Sequence, residues 1–239
     1  MLTGINIYKS FDNLEVLKDI NIEIERGKIV SIVGKSGAGK STLLYILSTL
    51  DKATNGKVLF DNKKLDELKG DDLSNFRNKK IGFIFQFHNL LSEFSVLENV
   101  SIPALISSSD REKIKIKAKE ILEKLDLFDR LNHKPNELSG GEQQRVAIAR
   151  SLINSPDIVF ADEPTGNLDS ENSQNLIKMI KKLNKEYNQT FVIVTHNKDF
   201  LKISDYSYTI KDGRIKLNWV EEYTLCFLQP FFLWLLKLV

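Results

Sequence analysis

Ile29-Val30-Ser31-Ile32-Val33-Gly34-Lys35-Ser36-Gly37-Ala38-Gly39-Lys40-Ser41-Thr42 carries the reading of the whole chain. Its first five residues are short, apolar and rich in β-branched side chains, the composition of a strand buried on both faces. From Lys40 onward Leu43, Leu44, Ile46, Leu47 and Leu50 recur at helical spacing. Between strand and helix, Gly34 to Ser41 has the spacing Gly-x4-Gly-Lys-Ser of a phosphate-binding loop, in the context that such a loop needs. Glycines let backbone N–H groups close around phosphate oxygens, and the helix start adds partial positive charge. Lys40 is then expected to reach the outer phosphates, and Ser41 to offer its hydroxyl to Mg²⁺. Lys35, Ser36, Gly37, Ala38, Gly39 and Thr42 complete the candidate cradle.

Outward from this unit, Ile20, Ile22 and Ile24 alternate with polar residues, and Leu2 to Tyr8 reads as their partner across a turn near Asp12-Asn13. Thr54-Asn55-Gly56 reads as a turn after the first helix. Apolar strand candidates at Ile81 to Phe85, Asp157 to Ala161 and Thr190 to Thr195 are separated by helical stretches, which predicts an α/β fold with a mostly parallel sheet. The segment 87–151 is richer in helix, with Ile114, Ala118, Ile121, Leu122 and Leu125 close to 3–4 spacing. Asp212-Gly213 reads as the tip of a closing hairpin. Asp162 and Glu163 end an apolar run, so their carboxylates emerge where open α/β sheets bind ligands. In phosphoryl transfer a strand-end Asp helps to hold Mg²⁺, the role expected of Asp162, and Glu163 is the candidate general base.

Thirty-four Lys+Arg against 32 Asp+Glu leave a net charge of +2 on 239 residues, which argues against a nucleic-acid partner recruited by bulk charge. With 42% apolar and 28% charged residues the chain is long enough for a substantial core. The one cysteine, Cys226, can form neither an internal disulfide nor a metal cluster alone and fits a reducing compartment. The first thirty residues carry charges throughout, so a cleaved secretion signal is not expected and the site should face the cytosol.

Leu138-Ser139-Gly140-Gly141-Glu142-Gln143-Gln144-Arg145-Val146-Ala147-Ile148-Ala149-Arg150 resembles the signature of ATP-binding cassette (ABC) ATPases. The family's other landmarks stand in order: Gln86 after a strand, Asp162-Glu163, Asn167-Leu168-Asp169, and Thr195-His196. The resemblance covers about residues 1–217. It implies a P-loop cassette with a mostly parallel core sheet, an antiparallel β-subdomain and a helical subdomain at about 87–151, hydrolysing ATP with Mg²⁺. It further implies a head-to-tail dimer with a second copy, in which Ser139, Gly140 and Gly141 meet the γ-phosphate held by the partner's loop. Gln86 would contact Mg²⁺ or the attacking water and sense a membrane partner, and His196 would hold the γ-phosphate. Asp169 would communicate across the dimer, and Phe11 would stack on adenine, with Tyr8 as the competing candidate. Read without the family, Ser139 and Asp169 are ordinary helix caps, Gln86 a loop residue, His196 a strand-end cap and Phe11 a core aromatic.

Phe85 to Val100, followed by Ile102-Pro103, is similar to the family branch that releases lipoproteins from the bacterial inner membrane, whose wider group includes macrolide-exporter and cell-division cassettes. That likeness implies integral membrane permease subunits and a peripheral place on the cytoplasmic face of the inner membrane. Soluble DNA-repair or translation-associated relatives are the alternative class. Only 51 residues separate Gln86 from Leu138, with no coiled-coil insertion, and there is one P-loop, so both fit less well. Beyond the cassette pattern, residues 218–239 form an apolar tail in which Leu225 to Val239 holds twelve apolar residues of fifteen. Fifteen helical residues reach only about 22 Å, too short for a membrane span.

Overall fold

A computed structural model describes residues 1–219; of the tail read as 218–239, residues 218–219 end the last strand and the rest lies outside the described residues. The alternating segment at the amino end folds as read, with Leu2–Phe11 (β1) and Leu14–Ile24 (β2) antiparallel and Phe11 opposite Leu14 across the turn. The loop unit follows as the strand Ile29–Gly34 (β3) and the helix Lys40–Leu47 (α1). The helix is shorter than its periodicity suggests: Thr49 takes a positive φ of 63°, and Leu50 is left exposed.

Asn55-Gly56, read as a turn, instead opens the strand Asn55–Phe60 (β4) on the free edge of β1. The pairing is irregular between Ile5 and Tyr8, and a Cβ on Gly56 would lie 2.1 Å from the Asn6 carbonyl oxygen. The glycine therefore permits a close backbone approach inside a strand, a second use of a residue that otherwise signals turns. Lys63–Lys64 (β5) completes a four-stranded sheet in the order β2-β1-β4-β5. The helix Gly70–Lys80 (α2) buries none of its residues, so no apolar stripe marked it in the sequence.

The second sheet adds Ile81–Ile84 (β6), Ile158–Asp162 (β7), Thr190–Val194 (β8), Tyr206–Lys211 (β9) and Arg214–Trp219 (β10). Its order is β10-β9-β3-β8-β7-β6, parallel except for the closing β9–β10 hairpin. Every residue of β7 and β8 is buried. Period-two alternation sends Val159, Ala161, Phe191 and Ile193 into one apolar core and Phe160, Val192 and Val194 into the other. The helices Val96–Ser107 (α3), Arg111–Lys124 (α4), Gly140–Leu152 (α5) and Ser170–Tyr187 (α6) supply the first core, while α1 and the smaller sheet supply the second. The phosphate loop is thus fixed at the carboxyl edge of a sheet packed from both sides.

The part of the stretch between Gln86 and α3 that lies next to the helix is gathered by the Asn99 amide. Asn99 is fully buried; its Nδ2 donates to the carbonyls of Leu91, Phe94 and Ser95, each at 3.0 Å, and its Oδ1 accepts from Leu91 N at 2.8 Å. Asn99→Ala leaves the Leu91 amide and the Phe94 carbonyl without these partners, while the Leu91 and Ser95 carbonyls keep backbone donors, and is expected to lower stability by roughly 2–4 kcal/mol in urea unfolding. Asn99→Asp, which keeps the acceptor and loses the donors, should be destabilising too.

Candidate nucleotide-binding site

Gly39 caps α1 in a left-handed conformation, φ 97°, and a Cβ there would lie 2.8 Å from Leu17 Cδ2. Only glycine satisfies both the backbone and the packing. The loop it ends curls around Lys40, which is nearly buried and donates from Nζ to the Lys35 carbonyl at 3.1 Å. One turn apart on α1, Ser41 Oγ and the Tyr45 hydroxyl each donate to the Asp162 carboxylate at 2.9 Å, one to each oxygen. Burial first, and then this bond to a carboxylate, pushes the Tyr45 phenol up to about 12.

β7 ends at Asp162, and Glu163 turns the chain through a positive φ of 44°. Its amide donates to the Val194 carbonyl at the end of β8, 2.9 Å away. A non-glycine residue in this region carries strain that neighbouring bonds must hold, and here they fix a carboxylate at the sheet edge. Glu163 Oε2 accepts from the His196 amide at 3.2 Å and lies 2.9 Å from His196 Nδ1. The Glu163 side chain is 15% exposed and the His196 side chain 73%.

Ser36, Gly37, Gly39, Lys40, Ser41, Thr42, Gln86, Glu163 and His196 line one open cleft of about 400 Å³, with Val16 at its margin. Asp162 joins it through Ser41. Gln86 is held from behind, its carbonyl accepting from Asn167 Nδ2 at 3.0 Å and its amide nitrogen close to Gly166. Phe11 does not line the cleft; it is half exposed, with the Lys9 ammonium 4.8 Å from its ring centroid. Among the described residues no three His, Cys, Asp or Glu side chains gather into a group able to hold a metal alone.

Ser139, Gly140, Gly141 and Asp169 lie outside the cleft of their own chain and gather at a second place. Ser139 caps α5 and Asp169 caps α6. Asn172 links the two helix starts, bonding to Asp169 at 2.7 Å from its side chain while its Oδ1 would lie 2.4 Å from a Cβ on Gly141. Ser139 is in a capping box with Glu142, whose Oε2 accepts from both the Ser139 amide and hydroxyl at 2.8 Å. Arg130 Nε donates to the other Glu142 oxygen at 2.9 Å. The Arg130 guanidinium first, then the Ser139 amide, holds the Glu142 carboxyl down at about 2.

Tyr45, Arg130 and Arg150 were not singled out from the sequence. Tyr45 had a signal, since it follows Ser41 by four residues on a helix and so shares its face. Arg150 caps the carbonyls of His88 and Asn89, both at 2.6 Å, and so ties the far end of α5 to the stretch after Gln86.

The family model described as ABC transporter matches residues 17–166. The lipoprotein-releasing system ATP-binding proteins LolD of Cytophaga hutchinsonii and Bacteroides thetaiotaomicron are 51% and 53% identical to the chain over 210 residues, covering 88% of it and 96% of each relative. The chain belongs to the ABC transporter family. Among solved structures, the dimeric bacterial ABC transporter cassette MJ0796 superposes with a TM-score of 0.84 at 41% identity, over 92% of this chain and 99% of that one. The same cassette in a post-hydrolysis state bound to ADP and Pi gives 0.83 at 40% identity. The sequence expectation of an ATP-binding, ATP-hydrolysing ABC subunit with an α/β cassette fold holds.

Tyr45→Phe removes one of the two side-chain donors to Asp162. It is expected to cost roughly 1–3 kcal/mol in chemical denaturation, the range for a bond to a charged group.

Proposed function

We propose that this cassette hydrolyses ATP at two sites shared between two copies and that it powers the release of lipoproteins from the inner membrane through separate permease subunits. The observation that carries the chemistry is the convergence of the phosphate loop, Gln86, Glu163 and His196 on one cleft. Backbone N–H groups of Gly34 to Thr42 and the Lys40 ammonium bind the β- and γ-phosphates. Ser41 and Asp162 offer oxygen donors 2.9 Å apart, the hard ligands that Mg²⁺ prefers, and Gln86 can add its amide oxygen. When bound, Mg²⁺ neutralises phosphate charge and orients the leaving group.

Glu163 takes the proton of the attacking water as its oxygen bonds to the γ-phosphorus and the bond to the bridging oxygen breaks, giving ADP and inorganic phosphate. His196 holds that carboxylate through its backbone amide, and its imidazole faces the γ-phosphate. Phe11, half exposed and outside the residues that line the phosphate cleft, is assigned to adenine.

The two-copy arrangement draws on the second cluster. A Cβ on Gly141 would collide inside the monomer, but Gly140 has only Leu168 Cδ2 within 4 Å, at 3.8 Å. The monomer does not explain a glycine at 140, whereas the close approach of a phosphate from another copy does. Asp169, on the adjoining helix start, would carry the state of one site to the other. The dimeric solved relative supports this reading. Lipoprotein cargo, permease partners and a peripheral place at the cytoplasmic face of the inner membrane draw on the LolD relatives, matched over nearly their full length. Among the described residues no helix is long and apolar enough to cross a membrane.

Glu163→Gln should retain ATP binding and lose roughly 10²- to 10⁴-fold in turnover; near wild-type hydrolysis would remove Glu163 from the role of base. Lys40→Ala and Ser139→Ala chains, each inactive alone, should regain hydrolysis when mixed, because a mixed dimer has one site with both halves intact. Turnover strictly proportional to monomer concentration, with no recovery on mixing, would count against shared sites.

A further inference from the structure

A helix start that receives the γ-phosphate of another copy should be free of negative charge, yet Glu142 stands in the first turn of α5. Its carboxylate is the group on which Ser139 spends its hydroxyl proton, at 2.8 Å, while the Ser139 oxygen accepts the Glu142 amide at 3.3 Å. A hydroxyl has one proton to give. An arriving phosphate must therefore compete with Glu142 for the Ser139 donor and approach a like charge at the same time. Among the described residues the one cation paired with Glu142 is Arg130, which reaches it from the short 3₁₀ turn Phe128–Arg130, twelve residues upstream and on a different element.

We infer that Arg130 is a positioning residue of the shared site: by pairing with Glu142 it offsets the carboxylate's charge and draws the carboxylate's bonding toward itself, so that the Ser139 hydroxyl can turn to the γ-phosphate of a second copy. Glu142 is needed in the separate chain, where it satisfies the Ser139 amide at the helix start. Arg130 lets the same carboxylate stay when an anion comes. The pair spans two elements, so geometry and charge at the signature are set together, and neither residue touches the reacting atoms. This inference rests on the two-copy reading.

The test uses the full chain carrying Glu163→Gln, so that ATP accumulates without turnover, and reads dimer formation against ATP concentration by sedimentation velocity. Arg130→Ala in this background should raise the ATP concentration at half-dimerisation by about threefold: two weakened sites, each contributing the modest value of a partly exposed ion pair, lower the overall constant by about tenfold, and that constant scales with the square of the ATP concentration. ATP binding to the dilute monomer should not change. Adding Glu142→Gln, which removes the charge and keeps an amide oxygen for the Ser139 N–H, should bring Arg130→Ala back toward the parent curve. That rescue is the readout that a purely structural role of Arg130 would not give. Dimerisation of Arg130→Ala that matches the parent, or a defect that Glu142→Gln does not relieve, overturns the inference and leaves the two-copy reading standing. A parent that never dimerises with ATP removes the two-copy reading, and this inference with it. Should Arg130→Ala unfold, Arg130→Met keeps the aliphatic stem and takes its place in the same comparison.

Discussion

The Asp162 carboxylate is the joint on which the nucleotide site depends. It ends β7 and takes a bond on each oxygen from Ser41 and Tyr45, which sit one turn apart on α1. Two bonds to two oxygens fix position and rotation, whereas one would fix only distance. The helix that closes the phosphate loop is thereby locked to the strand that carries Glu163. A shift in either element would move the phosphate-binding donors and the assigned base relative to each other, and errors near 1 Å matter at such sites. The cost of this arrangement is a nearly buried carboxylate, and the structure meets it with donors rather than with a permanent cation.

The second dependency runs along α5. Its start carries Ser139, and its far end carries Arg150, whose guanidinium holds the carbonyls of His88 and Asn89. Asn99 grips the same loop a few residues on, through Leu91, Phe94 and Ser95. A rigid helix thus has the signature at one end and the stretch after Gln86 at the other. On the proposed reading, a permease pressing on that stretch and a phosphate arriving at Ser139 act on the two ends of one body. Mechanical continuity of this kind permits coupling, although only a two-state element biased from both ends would carry it.

Much of this is legible in the sequence. The strand-loop-helix unit, the parallel strands and the closing hairpin follow from period and glycine spacing, because each expresses a local rule that burial then enforces. Helix α2 has no fully buried residue, only Phe76 packing against Phe60, and so leaves no apolar stripe, and β4 is hidden because its glycine serves a close approach to Asn6 instead of a turn. At the site, residue types with fixed offsets were legible: Lys40, Ser41, Asp162, Glu163. The supporting residues Arg130 and Arg150 were not, since each acts on a partner distant in sequence, and no periodicity links Arg130 with Glu142 or Arg150 with His88.

A net charge of only +2 also limits how nucleotide is recognised. No bulk field draws a polyanion to the cleft, so on the proposed reading recognition comes from short-range donors: loop amides, Lys40 and a helix start. Against them stand Asp162 and Glu163 on one side of the triphosphate and, across the proposed interface, Glu142. Each of these carboxylates would repel the nucleotide if left bare. Asp162 is covered by two hydroxyls, Glu163 by the His196 amide with the imidazole beside it, and Glu142 by Arg130 and Ser139. On the two-copy reading the γ-phosphate is the only group gripped by both chains, so ATP favours the closed dimer by its differential affinity, and cleavage of that one phosphate withdraws the preference. Transport driven in this way needs no push from the chemistry itself. It needs the shared grip to be weak enough that loss of one anion reverses it, and a signature helix that keeps its own carboxylate meets that requirement better than a bare cationic pocket would.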